Sequence, residues 1–274
     1  MTNCWTIDLG LIGYAEAYAL QRRVVAARKA GAIDDVLLFC ENPHVITQGR
    51  NGKREHLLAT ERVLQQQGVE YFETSRGGDV TYHGPGQIVG YPLLNLAAIK
   101  RDVVWYVRML EEVMIRATAD FSLASFRVPG KTGIWVQAGA SEEKLGAIGV
   151  HISRWVTSHG FAYNVSTDLR YFDLIVPCGI ADTRATSVER VLGRAVSNEE
   201  VRPHLVKPLD PASPPPLPTD YFDEPNWFEF YLLGRTEGFD NRVAAAEPQA
   251  GFVGDAGYRL PASPEDDKAE KEAE

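Results

Sequence analysis

Arg76-Gly-Gly-Asp-Val-Thr-Tyr-His-Gly-Pro-Gly-Gln87 puts four glycines, an arginine, a histidine and two hydroxyls into twelve residues. An apolar, strand-like run precedes it (69–72) and another follows it (88–96), so the glycines fall in a connection between strands. Glycine there permits positive φ and lets a ligand approach the main chain with no Cβ in the way. Taken alone the stretch reads as a binding loop, and a tight Gly-Pro turn without a ligand would satisfy it as well.

Outward from the loop, helical and strand-like runs alternate without strict βα repetition. Trp5–Leu9 and Val36–Cys40 have strand length, and Tyr14–Lys29 carries Ala, Leu and Val at helical spacing before Gly31, a C-terminal cap. Leu57–Gln67 reads as a helix. Asp102–Phe121 is the strongest one, with Val103, Tyr106, Val107, Leu110, Val113, Met114 and Ala117 on one face. Gly133-Ile-Trp-Val, 145–152 and 156–165 are β-rich, and Ser197-Asn-Glu-Glu200 fits a capping box opening a last short helix. The fold class that follows is α/β of the α+β type, a mixed β-sheet flanked by helices.

The 274 residues carry a formal net charge of −9, and the charge is unevenly placed. Residues 206–274 hold 15 acidic and 6 basic side chains, whereas residues 1–205 hold 22 of each. The same tail contains Pro-Leu-Asp-Pro-Ala-Ser-Pro-Pro-Pro-Leu-Pro (208–218), a composition that cannot bury enough apolar surface to offset ordering entropy. Residues 1–207 are therefore expected to form the folded domain, and 208–274 a Pro-rich, acidic, mostly disordered extension. The N-terminus lacks a signal-peptide pattern, and no stretch approaches the ~20 apolar residues of a membrane span. Three widely spaced cysteines (Cys4, Cys40, Cys178) make no disulfide framework, so a cytoplasmic location is expected.

Gly130-Lys131-Thr132 imitates the end of a phosphate-binding P-loop, but Ser125 stands where the motif needs glycine and a strand-like run follows instead of a helix. Neither Cys-x-x-Cys nor a helical His/Glu pair occurs, so no metal site is predicted. Val176-Pro-Cys-Gly-Ile180 remains. Cys178, between proline and glycine, lies on a sharp turn where its sulfur can be exposed and nearby amides can point at one spot, as an oxyanion hole requires. A buried turn cysteine is the bland alternative. A thiol titrating at about 8.5 needs a cation, a histidine or a helix N-terminus beside it to ionise at neutral pH. The candidates are Lys144, His83, His151 and His159. Lys144 opens an apolar, glycine-punctuated strand where an ammonium would be partly desolvated unless paired, or else ends a surface turn.

These segments, together with Glu41-Asn-Pro-His-Val-Ile-Thr-Gln-Gly-Arg50, Lys144-Leu-Gly-Ala-Ile-Gly149, His159-Gly-Phe-Ala-Tyr-Asn-Val165 and Pro177-Cys-Gly179, resemble in order and spacing the motifs of the lipoyl(octanoyl) transferases. The resemblance covers residues 36–190. It implies the fold of biotin and lipoate protein ligases. It also implies octanoyl transfer from acyl carrier protein to a lysine of lipoyl domains, those of 2-oxoacid dehydrogenase complexes and of the glycine cleavage H protein, through a cysteine thioester and with no cofactor. Carried over by residue, Cys178 is the nucleophile and Lys144 tunes it. Arg76, Gly77, Gly78, Asp79, Val80, Thr81, Tyr82, His83, Ala147, Ile148, Gly149, Gly160, Phe161 and Ala162 line the acyl site. The acyl chain is expected along Val80, Ala147, Ile148, Phe161 and Ala162. Acidic protein partners imply a basic mouth around Arg50, Lys53, Arg54 and Arg76. Leu145 and Tyr163 depart from the usual isoleucine and leucine. An ATP-dependent lipoate or biotin ligase of the same fold and a non-catalytic acyl-carrier-binding protein are the alternatives. The first has no need of Cys178, and the second has no need of either Cys178 or Lys144.

Overall fold

The computed structural model describes residues 4–139, 141–176 and 184–206. An eight-stranded mixed sheet runs in the order β1 (Cys4–Leu11), β2 (Asp35–Glu41), β6 (Gln87–Leu93), β10 (Val156–Asn164), β9 (Ser141–Ser153), β8 (Lys131–Ala138), β7 (Ser125–Val128). The short β11 (Arg184–Ala185) pairs in parallel with β9, and β1 is parallel to β2, while the remaining pairs are antiparallel. A second sheet, β4 (Glu70–Glu73), β3 (Val45–Gln48), β5 (Val80–His83), stands beside it. The expectation of a mixed sheet flanked by helices is met.

Alternation along the strands sorts the side chains onto two faces. On one face Leu37, Phe39, Ile88, Phe161 and Tyr163 pack under α3 (Val103–Ala119), together with its Tyr106, Leu110 and Met114. Asp102 starts α3 by accepting from the Trp105 amide. On the other face Val36, Leu38, Cys40, Val89 and Tyr91 lie under Ala17, Val24 and Val25 of α1 (Tyr14–Lys29). Full burial of each large apolar side chain contributes about 1.5–3 kcal/mol, which makes the two-sided sheet the main stabilising layer. Tyr163 is accommodated in the α3 core because its hydroxyl meets that of Thr118 at 2.7 Å, which in turn donates to the Met114 carbonyl.

Three expectations need correction. The glycine-rich stretch is not one loop: its middle, Val80–His83, is β5, because Val-Thr-Tyr-His suits a strand and pairs antiparallel with β3. The helix expected over Leu57–Gln67 is shorter, α2 (Glu61–Gln66), preceded by a 3₁₀ turn at Arg54–His56. Thr60 caps α2 by accepting from Val63, and Leu57 is taken up in a bridge to Ile175. Ser197 does cap α5 (Asn198–Val201), but the capping box is only half made, since Glu200 turns to Arg194 at 2.8 Å. Between β11 and α5 lies α4 (Val188–Leu192). Among the described residues no helix is long and apolar enough to cross a membrane.

Candidate active site

An irregularity in β9 adjoins Lys144. Gly146 pairs with Ile134 and Lys144 with Trp135, so two residues of β9 are spanned by a single step of β8, and Leu145 is a bulge. Leu145 packs in the α3 core, and a Cβ on Gly146 would stand 2.7 Å from Met114 Sδ, so both neighbours face α3. Lys144 is thereby turned to the α1 face, the face of Ala147 and Gly149. There it is buried, 9% exposed, with Nζ 5.3 Å from the centroid of the Trp135 ring. The Lys144 carbonyl accepts from the Thr186 amide at 2.9 Å, where β11 joins β9.

The first part of the glycine stretch lies over the same face. Gly77 N donates to the Val150 carbonyl at 2.9 Å, and a Cβ on Gly149 would stand 2.8 Å from the Gly77 oxygen, so this crossing requires glycine at 149. Gly49 and Asn51 amides bond the Asp79 and Gly78 carbonyls, holding the segment from the other side. Gly78 takes φ 84, a conformation that favours glycine. Arg76 is buried, with its guanidinium donating to the Thr47 hydroxyl and to the Thr47 and Gly77 carbonyls. It is therefore a scaffold for the loop, and of the expected basic mouth only Arg50, Lys53 and Arg54 are exposed. Lys53 and Arg54 lie near Glu55 and Glu61 at 3.6 and 3.5 Å. Asp79 accepts from the Val80 and Lys53 amides and bonds His56.

A buried chain of hydrogen bonds links the two sheets. The Thr47 hydroxyl meets His83 Nε2 at 3.4 Å, His83 Nδ1 meets Gln87 Oε1 at 2.8 Å, and Gln87 Nε2 donates to Asn164 Oδ1 at 2.8 Å. Asn164 Nδ2 then donates to the Thr186 carbonyl at 2.9 Å. Carbonyl partners orient both amides, since Gln87 Nε2 also donates to Tyr82 O. His83 Nδ1 therefore carries the proton and Nε2 accepts. Burial, and next the Arg76 charge, hold His83 down to about 4. The same causes hold His159 down to about 3. His159, at φ 57, turns its ring to α1, where it stacks on Tyr18 and meets the Ser75 hydroxyl at 3.1 Å. Both rings are neutral, committed structural groups.

The remaining expected acyl-site residues divide by face. Ala147, Gly149 and Ala162 lie on the α1 face, with Ala147 paired to Ala162, and Gly149 is paired to Gly160, where a Cβ would run into the Gly90 carbonyl of β6. Ile148 and Phe161 point the other way, into the α3 core, where Phe161 also meets Phe39 edge-on. Val80 and Tyr82 pack in the small sheet's own core with Ile46, Leu64 and Ile175, and Thr81 pairs with Thr47. Cys178 lies outside the described residues, as do Pro177 and Gly179. The chain is anchored on both sides of it, by the Val176 amide on the His56 carbonyl at 2.8 Å and by β11 on β9 at Lys144. Cys4 and Cys40 are free thiols that burial pushes up to about 12. Sequence reasoning missed Gln87's partner Asn164, along with Thr186 and Trp135. Nothing in a single sequence marks an amide as part of a relay.

A family model described as the lipoyl protein ligase A/B catalytic domain matches residues 13–210. The octanoyltransferases of Solibacter usitatus and Acidobacterium capsulatum are 53% and 54% identical to this chain over 201 and 192 residues, covering 73% and 67% of it and 89% and 78% of themselves. Among solved structures, the bipartite lipoate protein ligase of Thermoplasma acidophilum matches with a TM-score of 0.60 at 18% identity, covering 75% of this chain and 82% of that one. Lipoate-protein ligase A bound with ATP gives 0.57 at 16%, with the same coverage of 75% and 82%. At those identities the two structures speak for the fold alone. The domain match over most of the described chain and relatives of such identity place this chain in the lipoyl protein ligase A/B catalytic-domain family, among its octanoyltransferases.

Proposed function

We propose that this octanoyltransferase works through a thioester on Cys178, taking octanoyl from acyl carrier protein and passing it to a lysine of lipoyl domains. Lipoyl domains of 2-oxoacid dehydrogenase complexes and the glycine cleavage H protein are the acceptors. The domain that does this spans residues 1–207 and acts in the reducing cytoplasm. The observation that carries the reading is the placement of Lys144. It is buried on the α1 face, at the strand joined by β11, which follows Pro177-Cys-Gly179 in the sequence, whereas Cys4 and Cys40 are thiols that burial keeps protonated.

In the first half-reaction the Lys144 ammonium favours the Cys178 thiolate, which attacks the carrier thioester carbonyl. The carbon–sulfur bond to the carrier breaks, and the departing thiolate takes the Lys144 proton. In the second, neutral Lys144 accepts a proton from the attacking lysine amine, the amide forms, and Cys178 leaves as thiolate. The cycle closes with the starting charges and no ATP. Backbone amides beside Gly179 and in the glycine segment are the oxyanion donors, and the small residues Ala147, Gly149 and Ala162 are the floor along which the acyl chain lies.

Intact mass after incubation with octanoyl carrier protein, without ATP, tests the reading. One octanoyl addition, sensitive to hydroxylamine and absent in Cys178→Ser, is the expected result. Acylation that persists in Cys178→Ala, or that needs ATP and free octanoate, hands the chain to the ligase mechanism.

A further inference from the structure

Trp135 is 1% exposed and sits on β8 between Ile134 and Val136, both of which enter the α3 core. As the cross-strand partner of Lys144 it faces the opposite way. Its ring has the Lys144 ammonium 5.3 Å from the centroid and that of Lys131 at 4.9 Å. Two residues earlier, Gly133 takes φ 114, and a Cβ there would stand 2.8 Å from Lys144 Cε and 2.4 Å from the Gly146 carbonyl oxygen. The lysine stem therefore runs through space that only glycine leaves open, and its head lies against an aromatic face.

A buried ammonium has lost most of its water, and the negative face of an indole within about 6 Å replaces part of that solvation. Simple space filling does not require an indole here. The Trp135 Nε1 is buried without a hydrogen-bond partner, a cost that leucine or phenylalanine would not incur. What the ring supplies beyond volume is its face. We propose that Gly133 and Trp135 form a cradle for Lys144, which makes Trp135 a positioning residue of the acyl transfer. This rests on the role given to Lys144 above. The ring keeps the ammonium charged and aimed while the thiolate forms, and holds the amine in place when it later receives a proton.

The test compares Trp135→Leu, Trp135→Phe and Lys131→Gln in the full chain, by single-turnover transfer from octanoyl carrier protein to a lipoyl domain and by the pH dependence of Cys178 alkylation. Trp135→Leu is expected to slow transfer on the order of tenfold, the loss of a desolvated cation–π contact. Its carrier KM should be unchanged, and its alkylation midpoint should move up toward that of a free thiol. Trp135→Phe restores most of both, and Lys131→Gln stays close to wild type. Placed in a Lys144→Ala background, Trp135→Leu adds no further loss. Wild-type transfer by Trp135→Leu, equal damage from Lys131→Gln, or an additive loss on top of Lys144→Ala would overturn the cradle. Normal transfer by Lys144→Ala alone would instead remove the role on which the cradle depends, and the cradle with it. Should Trp135→Leu not fold, site-specific fluorinated tryptophans at 135 weaken the ring's face at nearly constant shape. The rate then falls stepwise with fluorination, and a flat series refutes the proposal.

Discussion

Removal of the Asn164 side chain interrupts the buried chain of hydrogen bonds between the small sheet and β11. Gln87 Nε2 keeps its bond to the Tyr82 carbonyl at 3.2 Å but loses Asn164, and the Thr186 carbonyl loses its donor. Each buried group left short of a partner costs about 1–3 kcal/mol, so with two such groups Asn164→Ala should destabilise by about 2–6 kcal/mol. Asn164→Asp is the sharper perturbation. Its carboxylate can accept from Gln87 but turns a lone pair on the Thr186 carbonyl, and only the protonated acid can donate there. Burial and that carbonyl raise the folded-state pKa above the ~3.9 of the unfolded chain. The folded state then binds more protons than the unfolded one, so the stability of Asn164→Asp relative to wild type is fully recovered below about pH 4 and falls as pH rises through the folded value. Urea unfolding of wild type, Asn164→Ala and Asn164→Asp from pH 4.5 to 8 measures both effects. Because Thr186 holds the Lys144 carbonyl, the transfer rate of both variants should drop as well. An Asn164→Ala within about 0.5 kcal/mol of wild type, the scatter of ordinary surface substitutions, or an Asn164→Asp with no pH dependence relative to wild type would show that the relay carries nothing.

His83 and His159 are held neutral, at about 4 and about 3, against an unfolded 6.5, so their contribution is full above pH 6.5 and lost as pH falls toward 4. Wild-type stability should decline over that window, and less steeply in His83→Gln, as followed by thermal melts at fixed ionic strength. Ala147→Leu intrudes on the α1 face and should shift preference to shorter acyl donors in a kcat/KM series. Phe161→Ala should instead cost about 3–5 kcal/mol of stability, as expected of a core aromatic, and leave chain-length preference alone. Truncation after Lys207 tests whether the acidic tail competes with the carrier protein for the surface of Arg50, Lys53 and Arg54. The carrier KM should fall at low salt with kcat nearly constant, and a KM unchanged or raised at low salt would refute the competition.

The long elements were legible because their periodicity is clear: α1 and α3 lie where apolar spacing put them, and β2, β6 and β10 read as apolar runs. Short elements were not. The strand Val45–Gln48 and the break before Thr60 depend on pairing partners elsewhere, β4, β5 and Ile175, which local pattern does not contain. The motifs marked Lys144 and the glycine segment, but not the division of labour within them. Arg76 looked like a surface charge and is a buried scaffold, and His83 looked like a candidate base and is a neutral link. Adjacent residues of one motif, Ala147 and Ile148, serve opposite faces of the sheet by alternation, and which of them faces α1 is set by pairings outside the motif.

The bulge at Leu145 puts an extra residue beside Lys144. Substituting Leu145 changes packing, and deleting it would join Lys144 to Gly146 in regular alternation, with the pairs to Trp135 and Ile134 unchanged and the lysine still on the α1 face. Deletion of Leu145 should therefore lower stability, as the loss of a core leucine does, while the folded fraction keeps the lysine's facing and its transfer activity. The bulge adds a leucine side chain to the α3 core without moving the lysine.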